Sequence, residues 1–147
     1  AWAYRERAAT TIENERIVAG DRVPFDDTAA LSDLVDSHSI AVVSNNRQGT
    51  VRFAVDHFEW SVDVARGRYP TLSEFDQLKP DAHLLRRTLD RLGAKEALFV
   101  GDRHTDVEAA RRVGIDSALL ARDGAVPDGE PEPTHHIESL DGLSNLV

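Results

Sequence analysis

Apolar residues fall along this chain in two kinds of block, short unbroken runs and sets spaced three or four apart, and the two kinds take turns. Ser39-Ile40-Ala41-Val42-Val43, Leu98 to Val100 and Ser117 to Leu120 are runs of the first kind, each with the length and polar borders of a buried parallel strand. Helical spacing occupies Ala1 to Ala19, Asp26 to Asp36, about Gln48 to His57, Asp81 to Leu92, Thr105 to Val113 and Ser139 to Leu146. Pro80 stands where a helix start tolerates a missing N–H, and Gly93 stands where that helix should end. Trp60 to Ala65 alternates weakly and reads as a short strand, whereas Arg66 to Leu78 has no clear period and reads as loop with one helical turn. Asp123 to Pro133, with three prolines and two glycines, predicts a loop before a last strand at about His135 to Ile137. Strands alternating with helices of this length imply an α/β fold, a three-layer Rossmann-like arrangement with a parallel sheet covered on both faces.

Composition narrows what such a fold does. The chain has 147 residues, room for one core, and no cysteine, which excludes disulfides and Cys-ligated metal sites. No apolar stretch approaches membrane-spanning length and no secretory leader is recognisable, so a cytoplasmic protein with no membrane partner is expected. Twenty-six acidic residues face 17 Lys and Arg, for a net charge of -9. A surface of that sign repels nucleic acid, and Arg86-Arg87 and Arg111-Arg112 read as solvated helix faces among carboxylates. Two lysines against fifteen arginines and sixteen aspartates suggest a salt-rich, halophilic cytoplasm.

Candidate chemistry sits at the strand ends. In a parallel sheet all strands point one way, so Ser44-Asn45 and Asp102 should emerge at the same carboxyl edge, the usual ligand edge of open α/β sheets. Lys79, just before a helix, should reach it too, and Asp106 follows Asp102 by four residues. A hydroxyl, an amide, an ammonium and two carboxylates are the parts of a phosphoryl site with an oxygen-ligated Mg²⁺. Each residue also has a plainer reading: Ser44, Asn45 and Asp102 as helix caps, Asp106 as a dipole partner, Lys79 as a solvated charge. His104 reads as a helix-start residue beside Arg103, and His135-His136 as a pair alternating in and out of the sheet.

VVSNN (42–46), LKPDAHLLRRTLDRLG (78–93) and FVGDRHTDVEAARRVG (99–114) resemble, in order and spacing, the second, third and fourth motifs of the haloacid-dehalogenase-like (HAD) hydrolases, especially their phosphoglycolate-phosphatase-like branch. The resemblance implies a HAD-like core over residues 24–147, preceded at 1–23 by the tail of a helical cap and a linker. It implies that Ser44 and Asn45 bind the transferring phosphoryl group and that Lys79 neutralises its oxygens and holds the nucleophile. Asp102 would ligate Mg²⁺, Asp106 would support the metal, and a small phosphorylated metabolite would be the substrate.

The family's first motif, a strand ending Asp-x-Asp-x-Thr whose first aspartate attacks phosphorus, has no counterpart here: Asp26-Asp27 follows Val-Pro-Phe, and Asp21 follows a helix and Gly20. In the family that strand lies between those ending at Ser44 and Val100. The expectation is therefore an N-terminally truncated, inactive form of an enzyme about 60 to 80 residues longer, judged from usual element lengths. Such a form should self-associate through its exposed sheet edges. The alternative is a non-catalytic HAD-like module that binds a phospho-ligand or a protein. A receiver-type domain needs Lys after the phospho-accepting Asp, whereas Lys79 precedes Asp102.

Overall fold

A computed structural model describes residues 1–147, which divide into two compact units, Ala1–Leu78 and Lys79–Val147.

The first unit opens with helix α1 (Trp2–Val18), which buries only Glu6 and Ile17. A 3-10 helix (Asp26–Asp33) stands where an α-helix to Asp36 was expected; neither end has a side-chain cap, and no residue in it is buried to hold a longer helix in place. Strand β1 (Ala41–Arg47) runs past the predicted apolar segment and takes in Ser44, Asn45, Asn46 and Arg47. Helix α2 (Gln48–His57) follows at its predicted limits, burying Thr50, Val51 and Val55. Strand β2 is Val64–Arg68, later than Trp60 to Ala65, and a one-turn helix α3 (Leu72–Phe75) is the turn expected in the segment that follows. β2 was displaced in the reading because its last residues, Arg-Gly-Arg, carry no apolar signal although Gly67 and Arg68 are buried.

β1 and β2 pair in parallel, Val43 opposite Arg66 and Arg47 opposite Arg68. β1 thus carries two more residues than β2 between those pairs, so the Ser44–Asn46 segment bulges at the carboxyl end of the ladder.

The second unit contains α4 (His83–Leu92), β3 (Leu98–Gly101), α5 (His104–Val113), β4 (Asp116–Leu120), β5 (His135–Ile137) and a terminal 3-10 helix (Leu140–Asn145), where an α-helix was expected. Pro80 lies outside α4 rather than opening it; the Asp81 carboxylate accepts the His83 N–H at 2.8 Å, and the helix ends at Gly93. The parallel sheet runs β3-β4-β5, with Gly101 opposite Leu119 and Leu119 opposite His136. His135 is half-buried and His136 exposed, the expected alternation. Leu84, Val107 and Leu119 are fully buried, each contributing roughly 1.5–3 kcal/mol by leaving water. The strands of the α/β fold therefore lie in two parallel sheets, one per unit, in which β1 and β3 each have a single hydrogen-bonded neighbour.

Candidate active site

Ser44, Asn45 and Asn46 form the bulged turn at the end of β1. The Ser44 Oγ accepts the Asn46 N–H at 3.1 Å, and the Asn46 Oδ1 accepts the Arg47 N–H at 2.7 Å. Neither Ser44 nor Asn45 caps α2, whose N-cap is Arg47 and which has no side-chain cap. The Ser44 oxygen serves its own backbone as an acceptor, which leaves the hydroxyl hydrogen to be donated to an anion.

Beside this turn the first unit buries ionic groups. Glu6 of α1 bonds Arg68 of β2 and lies 3.3 Å from the Arg47 guanidinium, and Arg66 pairs with Glu74. Burial pushes the Glu6 carboxyl up, but the hydrogen bonds and charges of Arg68 and Arg47 together outweigh it and hold the group below its ordinary value of 4.5. The Arg68 guanidinium lies over Phe75, which Trp2 meets edge-on at 5.5 Å. Sequence reasoning missed Glu6 altogether, because α1 reads as a polar helix with a thin apolar side.

In the second unit the ammonium of Lys79 bonds the Asp106 Oδ1 and lies 5.3 Å from the centre of the Phe99 ring. The other oxygen of Asp106 accepts the N–H of Arg103, the N-cap of α5, at 3.2 Å. Asp106 therefore closes the start of the helix by reaching back from its third position and holds the lysine at the same time. Both side chains are about nine-tenths buried, whereas Asp102, one residue beyond β3, is exposed. Gly101 makes the arrangement possible, since a Cβ there would overlap the Asp106 carboxylate. His104 is the first residue of α5, and Gly129 of the 123–133 loop approaches its ring so closely that a Cβ would stand 3.2 Å away.

Of the predicted residues, the structure thus joins Lys79 to Asp106 in one unit, with Asp102 one residue beyond β3, and sets Ser44 and Asn45 in the turn of the other. No group of three acidic or imidazole side chains forms a ready-made metal cage. Asp102 offers a carboxylate to a cation, while Asp106 has both oxygens engaged.

Residues 78–143 match the model of the HAD-hydrolase-like family. The fold is similar to that of a 2-haloacid dehalogenase from Pseudomonas syringae pv. Tomato, with TM-score 0.67, 19% identity, and 84% of this chain matched to 53% of that one. The fold is HAD-like. A HAD-superfamily hydrolase of subfamily IA from Geobacter sulfurreducens shares the fold at TM-score 0.64 and 20% identity, over 82% of this chain and 58% of its own. A D,D-heptose 1,7-bisphosphate phosphatase from B. bronchiseptica, complexed with magnesium and phosphate, does so at 0.62 and 18%, over 84% and 82%. The chain spans little more than half the length of the dehalogenase and the Geobacter hydrolase. No curated protein sequence matches it, and no helix is long and apolar enough to cross a membrane.

Proposed function

We propose that the protein to which this chain belongs is a Mg²⁺-dependent phosphomonoester hydrolase of the HAD type, acting on a small phosphorylated metabolite through an aspartyl-phosphate intermediate. The observation that carries the reading is the buried Lys79–Asp106 pair at the head of α5, with Asp102 exposed at the adjoining strand end. An ammonium fixed by a buried carboxylate is a preorganised counter-charge for phosphoryl oxygens, which need stabilisation as charge shifts in the transition state. In the first unit, the Ser44 hydroxyl and the Asn45 amide are neutral donors of the kind that bind a phosphoryl group.

The residues fit a magnesium ion as part of its ligand set. Mg²⁺ is commonly held by one or two carboxylates together with phosphate and water, and Asp102 would be such a ligand, with Asp106 supporting it from behind. Bound there, the ion would neutralise non-bridging oxygens.

The attacking carboxylate belongs to a first motif that none of the 147 residues provides. In the proposed reaction one of its oxygens bonds to phosphorus as the bond to the substrate's ester oxygen breaks. The departing alkoxide takes a proton, and water then hydrolyses the acyl phosphate. β1 and β3 each offer an unpaired edge that a further strand could join, and this chain alone would be inactive and self-associate through such edges. A sharp, concentration-independent melt of a monomer would contradict the association.

The test is the protein expressed with whatever reading frame lies upstream of Ala1. Lys79→Ala should lower its phosphatase kcat by about 10²–10³, the range for losing a preorganised charge partner, and Asp102→Asn should weaken activation by Mg²⁺. Unchanged kinetics in Lys79→Ala would remove that residue from the site. Absence of an upstream Asp-x-Asp together with absence of turnover would favour the binding module.

A further inference from the structure

We infer that Gln48 and Gly67 are positioning residues that hold the Ser44–Asn46 turn against β2; their catalytic consequence rests on the phosphatase reading above. The turn is a bulge, and the Ser44 Oγ and the Asn46 Oδ1 accept N–H groups from within it or from the residue that follows. The first residue of α2 ties this end of β1 to β2. The Gln48 Nε2 donates to the Ala65 carbonyl at 2.9 Å, and its Oε1 accepts the Gly67 N–H at 2.5 Å. One side-chain amide thus bonds the β2 backbone on both sides of Arg66, where the two extra residues of β1 interrupt the regular ladder. It stands in for the missing peptide unit.

Gly67 completes the clamp from the other side. A Cβ at that position would lie 2.7 Å from the Asn46 carbonyl oxygen, 2.8 Å from the Gln48 nitrogen and 2.9 Å from the Gln48 Cα. All three are backbone atoms, so no rotamer change relieves the overlap. Any side chain at 67 must lift the turn off β2. The placement of the Ser44 hydroxyl is therefore set by β2 through Gln48 and Gly67, not by a cap on α2, and small displacements of a group that meets the transition state are costly to rate.

The test uses the protein expressed from its whole reading frame, in the variants Gln48→Leu, Gln48→Glu and Gly67→Ala, with hydrogen exchange read at single residues by mass spectrometry. Gln48→Leu should accelerate exchange of both the Gly67 and the Asn46 amides at least about tenfold, with α4 and α5 unchanged. Gln48→Glu keeps an acceptor for the Gly67 N–H and should restore most of the protection, whereas Gly67→Ala should expose the Asn46 amide even with Gln48 intact. Acceleration at Gly67 alone, or a uniform rise across all amides, would overturn the inference, because the glutamine would then brace β2 or stability in general. In the phosphatase assay, Gln48→Leu should lower kcat about tenfold with KM within about twofold, and Gln48→Glu should recover most of it. A wild type without phosphatase activity would count against the proposed function, and the exchange pattern would still decide whether the two residues position the turn.

Discussion

The two units of this chain are built on different physics. Unit Lys79–Val147 has an ordinary apolar core: ten hydrophobic residues are buried, on α4, α5 and β4 and in the segments around them. Unit Ala1–Leu78 buries only Ile17, Val51 and Val55 among its hydrophobic residues, and buries Glu6, Arg68 and Thr50 with them. In the second unit the Lys79–Asp106 ion pair is attached to a core that already exists. In the first, the Glu6 pairs join α1 to β1 and β2, the Arg66–Glu74 pair joins β2 to α3, and these pairs form part of what closes the structure. The contrast bears on how much a single side chain can matter. A buried ion pair adds little net stability compared with a good apolar replacement, yet removing one partner leaves an uncompensated charge.

The largest effect should come from breaking that contrast at Glu6. Glu6→Ala strands Arg68 and should cost about 3–5 kcal/mol, the usual range for a broken buried pair. Replacing both partners, Glu6→Leu with Arg68→Met, should recover much of the loss. Both tryptophans, Trp2 and Trp60, lie in the first unit, so urea unfolding followed by fluorescence reports that unit, while far-ultraviolet dichroism reports both. Leu84→Ala, at a fully buried position of α4, should cost about 2–5 kcal/mol and move the dichroism transition more than the fluorescence one. Equal shifts of both signals in both variants would erase the distinction between the units.

Acid sharpens the same comparison. The Glu6 carboxyl is held below 4.5 in the folded chain, so its contribution to stability is complete above that value and is lost as pH falls through the lower folded value. The fluorescence midpoint should therefore decline below pH 4.5, and Glu6→Gln should flatten this part of the decline. An unaltered acid profile in Glu6→Gln would place the sensitivity elsewhere.

A smaller effect, of opposite sign, is expected at Glu59. This residue follows α2 with φ +56°, a left-handed conformation that favours glycine. Glu59→Gly should stabilise the first unit by about 1 kcal/mol, visible as a raised fluorescence midpoint.

The same division explains what could be read from sequence. In the second unit, apolar periodicity placed β3, α5, β4 and β5 within about a residue of their ends, because burial there is hydrophobic and hydrophobic burial leaves a pattern. In the first unit α1 and α2 were legible, but β2 was not, since Val64-Ala65-Arg66-Gly67-Arg68 hides buried guanidiniums behind a polar sequence. Ser44 and Asp102 stood out because strand ends in a parallel sheet announce themselves, and Lys79 and Asp106 because they stand at the predicted starts of the neighbouring helices. The Lys79–Asp106 bond, the Gln48 amide and the two glycines at 67 and 101 did not, because each depends on side chains meeting across elements, which spacing alone does not encode.

The most direct test of the whole account is hydrolysis of p-nitrophenyl phosphate with Mg²⁺ by two proteins, the 147-residue chain and the same chain extended through its upstream reading frame. The account predicts turnover by the extended protein and, for the 147-residue chain, a rate no greater than that of buffer with Mg²⁺. Turnover by the 147-residue chain that Asp102→Asn abolishes would contradict it, because the attacking group would then lie within these residues.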